Sequence, residues 1–281
     1  MPDIQWYPGH MAKAKRLIQQ DLTKVDIVWV LLDARLPLSS FNPEFRHLLK
    51  NKPQCFLLNK SDKVSEEYLK KALSHFHDQH QHALAISASL GKGLSKLVPI
   101  TQNILKPMRD KAKARGLKER PMRVMIVGLP NTGKSTLINR MVHKKSLAVA
   151  DRPGVTRQLQ WITMHEDLLL LDTPGLLWPK FEDQSIALKL ALVGTIKDTL
   201  VPLDDMIFLA LEYFKTHHSQ VFLQRYQLKE YGDPTTMLQS IAHSIGALSK
   251  GGQPDYDKAM QRILTDLRQD KLGPIMLDTL P

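Results

Sequence analysis

The chain has 281 residues but a single cysteine, Cys55, and no long apolar run. One cysteine excludes an intramolecular disulfide and a zinc site built from several thiolates, and it fits a reducing compartment. The longest clean apolar runs are Ile27–Leu32 and Leu168–Leu171. Both are far shorter than the roughly 18 residues that span a bilayer, and the N-terminal residues contain no signal-peptide core. The sequence therefore predicts a soluble, cytoplasmic protein with no membrane partner.

Acidic residues are also scarce relative to basic ones, since 28 Asp and Glu stand against 39 Lys and Arg, a formal net charge of +11. A surplus of this size predicts an anionic partner. The surplus is uneven: residues 1–175 contain 28 basic and 15 acidic residues, whereas 176–281 contain 11 and 13. The first part of the chain therefore holds the whole excess.

Strand-like apolar runs alternate with amphipathic segments over the first 172 residues, which indicates an α/β fold built from βαβ units with a mostly parallel sheet and helices on both faces. Strands are expected at Asp26–Leu32, Gln54–Leu58, Ala83–Ile86, Met122–Val127, Gln158–Met164 and Leu168–Asp172. Helices are expected at Met11–Leu22, Pro43–Lys50, Glu66–Phe76, Leu94–Leu105 and Lys134–Val142.

Residues 106–121 interrupt this alternation. They are rich in basic residues and contain few apolar ones, which predicts a solvated linker. After Asp172 only helical patterns remain, and Asp-Pro and Gly signals bound the last two helices. The expected helices are Gln184–Leu200, Leu203–Lys215, one from Asp233-Pro234 to Gly251-Gly252 and one from Pro254-Asp255 to about Gly273. Two domains are therefore expected, an α/β domain over 1–178 that includes the linker and an all-helical domain over 179–281.

The segment Gly128-Leu-Pro-Asn-Thr-Gly-Lys134-Ser135 matches the phosphate-loop pattern G-x-x-x-x-G-K-[ST] between an expected strand and an expected helix. Its backbone N–H groups can surround a phosphate, Lys134 can reach the β and γ oxygens, and the Ser135 hydroxyl can bind Mg²⁺. This context disfavours the alternative of a plain glycine-rich turn. The residues expected to contact the nucleotide here are Asn131, Thr132, Gly133, Lys134, Ser135 and Thr136.

Asp172-Thr-Pro-Gly175 follows the last apolar run. Asp172 can hold Mg²⁺ through water, and the Gly175 N–H can contact a γ-phosphate. Asp-Thr-Pro-Gly is also a favourable turn sequence, so the motif alone does not indicate a nucleotide site. Its position, one strand pair after the phosphate loop, favours that role.

Asn59-Lys60-Ser61-Asp62 ends the second expected strand. The Asp62 carboxylate can accept hydrogen bonds from the guanine N1–H and exocyclic amine, which adenine does not offer in this arrangement. Ser87-Ala88-Ser89 ends the next strand and can donate a backbone N–H to guanine O6. Since the carboxyl ends of parallel strands share one edge, these loops and the phosphate loop converge, which predicts a guanine-nucleotide site.

These motifs resemble those of the translation-factor branch of P-loop GTPases, but the guanine-reading motif at 59 precedes the phosphate loop at 128. The chain therefore resembles a circularly permuted GTPase. Within that group, the opening from Trp6 through His10 to Lys15 (WYPGHMAKAK), the Asp33-Ala-Arg35 turn and the length resemble the RbgA/YlqF family of ribosome-biogenesis GTPases. The resemblance is strong over 1–178 and rests on length and helicity beyond.

The resemblance implies a monomeric GTP hydrolase that uses GTP, GDP and Mg²⁺ and acts as a switch in late assembly of the large (50S) ribosomal subunit. It would bind the subunit precursor, both rRNA and ribosomal proteins, in the GTP state and leave after hydrolysis. The alternatives are a nucleotide-gated RNA-binding assembly module with incidental hydrolysis and a P-loop ATPase or kinase. Leu176 and Leu177 occupy the position of the usual water-orienting Gln, so slow intrinsic hydrolysis stimulated by ribosomal particles is expected.

The resemblance also implies roles for three residues. His10 would be catalytic, or else a histidine that caps the first helix; Thr156 would close on Mg²⁺ and the γ-phosphate, or else be a β-turn threonine. Asn131 would help to bind K⁺, or else be a loop residue without that role. For rRNA binding, the basic linker and the Lys13, Lys15 and Arg16 face are expected to contribute much of the salt-sensitive affinity.

Overall fold

The computed structural model describes residues 16, 18–142, 161–171 and 183–281. These residues include a six-stranded sheet in the order β3-β2-β1-β4-β6-β5. Its neighbouring strands are parallel except for the antiparallel pair β5 and β6. The strands are β1 Ile27–Asp33, β2 Gln54–Asn59, β3 His82–Ala85, β4 Met122–Gly128, β5 Trp161–His165 and β6 Leu168–Leu171. The expected mostly parallel α/β sheet is confirmed.

The central strand β1 explains why the sheet forms where it does. All seven of its residues are buried, as is usual for a parallel strand covered on both faces, and such strands consist of continuous apolar residues. Trp29 adds a specific contact, because its Nε1 donates a hydrogen bond to Thr101 Oγ1 at 3.1 Å. The helices of this part are α1 Glu44–Leu48, α2 Glu66–Asp78, α3 Leu97–Ala114 and α4 Lys134–Met141.

The stretch expected to be a linker is helical over its first part, since α3 continues to Ala114 instead of ending at Leu105. Its buried residues lie in the first half of the helix, at Leu97, Thr101 and Leu105. The basic second half is solvated, as expected, but Lys, Arg, Ala and Met are good helix formers, so a lack of apolar residues does not end the helix. The helix is closed at Gly116, where φ is +75° and the Gly116 N–H donates to the Lys113 carbonyl.

The remaining described residues are almost entirely helical. The helices are α5 Gln184–Leu192, α6 Leu203–His217, α7 Ser219–Tyr226, α8 Pro234–Ser244 and α9 Tyr256–Arg268. Asp233 and Asp255 cap α8 and α9 with their carboxylates, as their sequence context predicts. The end expected for α8 at Gly251-Gly252 is wrong, because Gly246 at φ +70° already terminates it.

Two compact units can be separated among the described residues. The helical unit contains residues 183–277, and the sheet unit contains the described residues up to 171 together with Asp278–Pro281. Within the sheet unit, the Asp278 carboxylate accepts hydrogen bonds from the backbone N–H groups of Leu38 and Ser39, both at 2.8 Å. None of the helices formed by the described residues is both long and apolar enough to cross a membrane.

Candidate nucleotide-binding site

The phosphate loop connects the end of β4 to the start of α4, as the sequence predicts. The N-cap residue Gly133 has a φ of +99°, a conformation that disfavours any side chain, and no side chain among the described residues caps the N-terminus of α4. The N-terminus of a helix that follows such a loop is suited to binding an anion. Beside them lies a cavity of about 550 Å³ whose lining includes Lys60, Asn131, Lys134 and Ser135.

Asn59 connects three loops at the carboxyl edge of the sheet. Its side chain is 2% exposed; Nδ2 donates to the Thr132 carbonyl of the phosphate loop at 2.7 Å, and Oδ1 accepts from the Ala88 N–H at 2.9 Å. A Cβ on Gly133 would lie 2.3 Å from Asn59 Nδ2, so glycine is required for this close approach. The sequence places Asn59 in a motif predicted to bind the guanine nucleotide, whereas its bridging of the loops emerges only from the fold.

Lys60 is held by a carboxylate from the neighbouring strand. It adopts a left-handed backbone with φ +60°, and its Nζ lies 2.9 Å from Asp33 Oδ2 at the end of β1. Arg35 forms a two-pronged contact with the same carboxylate, through Nε at 2.9 Å and Nη2 at 2.7 Å. Burial alone would raise the pKa of Asp33, but Arg35 and Lys60 together hold it far below its usual range.

The part played by Asp33 was not predicted from the sequence, where Asp33-Ala-Arg35 counted only toward a family resemblance. A usable signal exists, because an Asp at the end of a fully buried strand requires a partner. The positively charged side chains that meet it are supplied by its own turn and by the adjacent strand end. Burial lowers the pKa of Lys60, an effect that Asp33 only partly opposes.

The two segments that the sequence predicts to contact the base lie at the expected strand ends. Asp62 is exposed, whereas Ser87 and Ala88 are buried. The Ser87 N–H donates to the Lys92 carbonyl and the Ala88 N–H to Asn59, so both amides are engaged within the protein. Of the three residues 87–89, only Ser89 has an N–H without a hydrogen bond to a described residue.

Four expected site residues, His10, Thr156, Asp172 and Gly175, lie outside the described residues. Of the residues expected to hold Mg²⁺, the structure therefore places only Ser135, the second residue of α4, whose exposed side chain lines the cavity. A hydroxyl oxygen is a suitable donor for this hard cation. Ser135 thus fits an Mg²⁺ site as far as the described residues extend.

A phosphate loop after β4, an Asn-Lys-Ser-Asp motif at the end of β2 and a parallel sheet that brings the two together define a circularly permuted P-loop GTPase. A model of the family described as 50S ribosome-binding GTPase matches residues 123–239. "Ribosome biogenesis GTPase A" of Priestia megaterium is 44% identical over 277 residues, covering 98% of this chain and 96% of that protein. The protein of the same name from Thermotoga maritima is 31% identical, covering 98% and 94%.

Solved structures agree with these relatives. The GNP-bound YlqF from T. maritima has a TM-score of 0.65 and 26% identity, and the match covers 95% of this chain and 97% of that one. The chain belongs to the ribosome biogenesis GTPase A (RbgA/YlqF) family. It is a GTPase, and the resemblance inferred from its motifs is confirmed.

Proposed function

We propose that this GTPase binds a precursor of the large ribosomal subunit in its GTP state, assists late assembly and leaves after hydrolysis. Family membership supports the ribosomal part, because the relatives are named for ribosome biogenesis. The observation that carries the switch is the Asn59 bridge, which connects the base-reading loop to the phosphate loop within one buried hydrogen-bond network. The protein acts as a monomer in the cytoplasm.

The chemistry is in-line attack of water on the γ-phosphate, with positioning and charge neutralisation doing most of the catalysis. Lys134 and the N–H groups that begin α4 neutralise the phosphate oxygens. Ser135, Thr156 and Asp172 would hold Mg²⁺, which supplies further positive charge when bound. The Gly175 N–H would contact the γ-phosphate and report its presence.

Leu176 and Leu177 offer no polar group to orient the attacking water, and the family resemblance assigns that role to His10. The matched variants are His10→Ala and His10→Gln. Alanine is expected to lower particle-stimulated turnover without changing GTP affinity, and glutamine to restore part of the turnover. A capping histidine would instead leave stimulated hydrolysis unchanged in both variants.

Asn131 is assigned to a K⁺ site beside the phosphates. In support, it has a left-handed backbone with φ +56° within the phosphate loop and contributes to the lining of the cavity. Faster hydrolysis in KCl than in NaCl at equal ionic strength is expected, with the difference reduced in Asn131→Ala. Equal rates in the two salts would refute the K⁺ site.

The basic end of α3 contributes to rRNA binding. Lys111, Lys113 and Arg115 have no ion-pair partner among the described residues, and they lie on the solvated half of the helix. Neutralising these three residues is expected to flatten the salt dependence of subunit binding. An unchanged salt dependence would assign the affinity to other surfaces.

Sucrose-gradient co-sedimentation with large-subunit precursors tests the function directly. Binding is expected with a non-hydrolysable GTP analogue and not with GDP, and the particles are expected to stimulate hydrolysis. Rapid hydrolysis whose rate the particles do not change would contradict the switch. Effective competition of ATP with labelled GTP would indicate an ATPase or kinase. If a GTP-binding variant that cannot hydrolyse still completes assembly, hydrolysis is incidental.

A further inference from the structure

Three basic residues of the helical unit surround one buried carboxylate. Asp266 of α9 is 0% exposed and accepts hydrogen bonds from Arg225 Nε of α7 at 2.8 Å and from Arg262 Nε of α9 at 3.0 Å. The ammonium group of Lys271, in the turn after α9, lies 3.4 Å from the other carboxylate oxygen. We refer to these four residues as the Asp266 cluster.

The charges of the Asp266 cluster do not balance. Burial alone would raise the pKa of Asp266, but hydrogen bonds from Arg262 and Arg225 lower it, so the carboxylate is ionised at neutral pH. Among the described residues, none of the three cations is paired with any other carboxylate. One cation would neutralise Asp266, so the cluster presents two surplus positive charges.

The surplus charge faces solvent. The side chains of Arg225, Arg262 and Lys271 are 31%, 45% and 44% exposed, whereas the carboxylate beneath them is inaccessible. Arg262 donates to Asp266 only through Nε, so its terminal nitrogens are uncommitted within the part of the chain that the structure describes. A phosphate site requires cationic side chains that are fixed in position, donor groups that are exposed, and a net positive charge.

Other ion pairs of the helical unit show that three cations around one carboxylate are unusual there. Arg268 pairs with Asp198 at 2.6 Å, and Lys258 pairs with Asp255 at 2.9 Å, each as one cation with one carboxylate. These pairs are neutral and present no excess to an anion. The Asp266 cluster is thus a local positive site in a part of the chain where acidic residues outnumber basic ones.

We propose that the Asp266 cluster binds a backbone phosphate of large-subunit rRNA. This inference rests on the proposed function, which makes rRNA the polyanion that the protein meets. Free inorganic phosphate has the same chemistry as the RNA backbone, and the experiment separates the two sources.

The test is the affinity of the full chain for a large-subunit rRNA transcript, measured over a series of KCl concentrations. In Arg262→Gln/Lys271→Gln, the Arg225–Asp266 pair remains and keeps the carboxylate neutralised. The plot of log K against log salt is expected to flatten by about 1, the change that follows from losing one phosphate contact, with at least tenfold weaker binding at low salt. The charge-preserving Arg262→Lys/Lys271→Arg is expected to keep the wild-type slope.

Lys258→Gln is the matched control, because it removes a cation from a neutral pair and is expected to leave the slope unchanged. Thermal melting verifies that each variant folds, and Lys271→Gln alone, which removes the more distant cation, repeats the test if the double variant does not. An unchanged slope in the folded double variant overturns the proposal. The proposal is also overturned if competition shows that inorganic phosphate occupies the site while the double variant loses no affinity for rRNA.

Failure of this inference is distinct from failure of the proposed function. Wild-type protein that co-sediments with subunit precursors, while the double variant retains the full salt slope on rRNA, overturns the phosphate site alone. If the slope flattens in the double variant as expected but the wild-type protein never co-sediments with precursors, the function is overturned and the site is supported.

Discussion

Replacing Asp33 by asparagine tests the ion network that holds Lys60 of the Asn-Lys-Ser-Asp motif. The wild-type carboxylate is fully buried and is contacted by two nitrogens of Arg35 and by the Lys60 ammonium. Asparagine keeps the shape and one acceptor oxygen but removes the charge. Arg35, which is 2% exposed, then loses both of its charged contacts with Asp33 while it stays buried.

Breaking a buried ion pair by removing one partner costs about 3 to 5 kcal/mol. In a unit of this size, each kcal/mol lowers the melting temperature by about 2 to 4 °C. Asp33→Asn is therefore expected to lower the melting temperature by about 6 to 20 °C in a thermal unfolding experiment. Glu67→Gln is the control, because Glu67 pairs with Lys71 on an exposed helix face, and no measurable change is expected.

The contribution of Asp33 to stability changes with pH in a direction that follows from its lowered pKa. The pKa of Asp33 is lower in the folded protein than in the unfolded chain, so its contribution to stability is complete above the unfolded value of about 4. That contribution is lost as the pH falls from about 4 toward the folded pKa. The stability difference between wild type and Asp33→Asn is therefore expected to be constant near neutral pH and to shrink below about pH 4.

Nucleotide binding provides the second measurement on this variant. Asp33 holds Lys60, which lines the cavity of the phosphate loop, so Asp33→Asn is expected to bind a fluorescent GTP analogue at least tenfold more weakly below its melting temperature. A melting temperature within about 2 °C of wild type, together with unchanged GTP affinity, would refute the reasoning, because a fully buried charge network cannot lose its centre at so small a cost.

Two other substitutions test the connection between the loops, and a third tests recognition of the base. Asn59→Ala removes the hydrogen bonds to the Thr132 carbonyl and from the Ala88 N–H and is expected to weaken GTP binding at least tenfold by calorimetry; unchanged affinity would contradict the bridge. Gly133→Ala places a Cβ 2.3 Å from Asn59 Nδ2 at a φ of +99°, so loss of nucleotide binding with retained circular dichroism is expected. Asp62→Asn is expected to shift preference from GTP toward xanthosine triphosphate, whose base has a carbonyl where guanine has its amine; a competition assay that still favours GTP to the wild-type extent would argue against Asp62 as the base reader.

The sheet could be predicted because each strand carries its own signal. Continuous apolar runs indicate strands covered on both faces, and all six expected strands are found. The nucleotide loops could be predicted for the same reason, since their motifs depend on residue types at short spacing. Their permuted order does not alter the site, because every parallel strand ends at the same edge.

Helix ends were harder to predict, because they depend on which of several signals the tertiary structure uses. Gly246, rather than the Gly251-Gly252 pair, ends α8. The helix α7 was missed altogether, since only His218 separates it from α6 and neither Gly nor Pro marks the break. A third helix end was predicted wrongly from charge. The basic run after Leu105 indicated a linker, but it continues α3.

Net charge also predicts less about binding than its local arrangement does. The segment 176–281 has two more acidic than basic residues, so counting alone assigns the anion-binding surface to the first part of the chain. However, Arg262 and Lys271 lie on α9 and in the turn after it, and Arg225 joins them only because α7 lies against α9 at Asp266. At an ionic strength of 0.15 M, charges are screened beyond about 8 Å, so a bound phosphate responds to these neighbours and not to the total for the segment. A surface that is acidic on average can therefore bind RNA wherever one buried carboxylate gathers several cations around it.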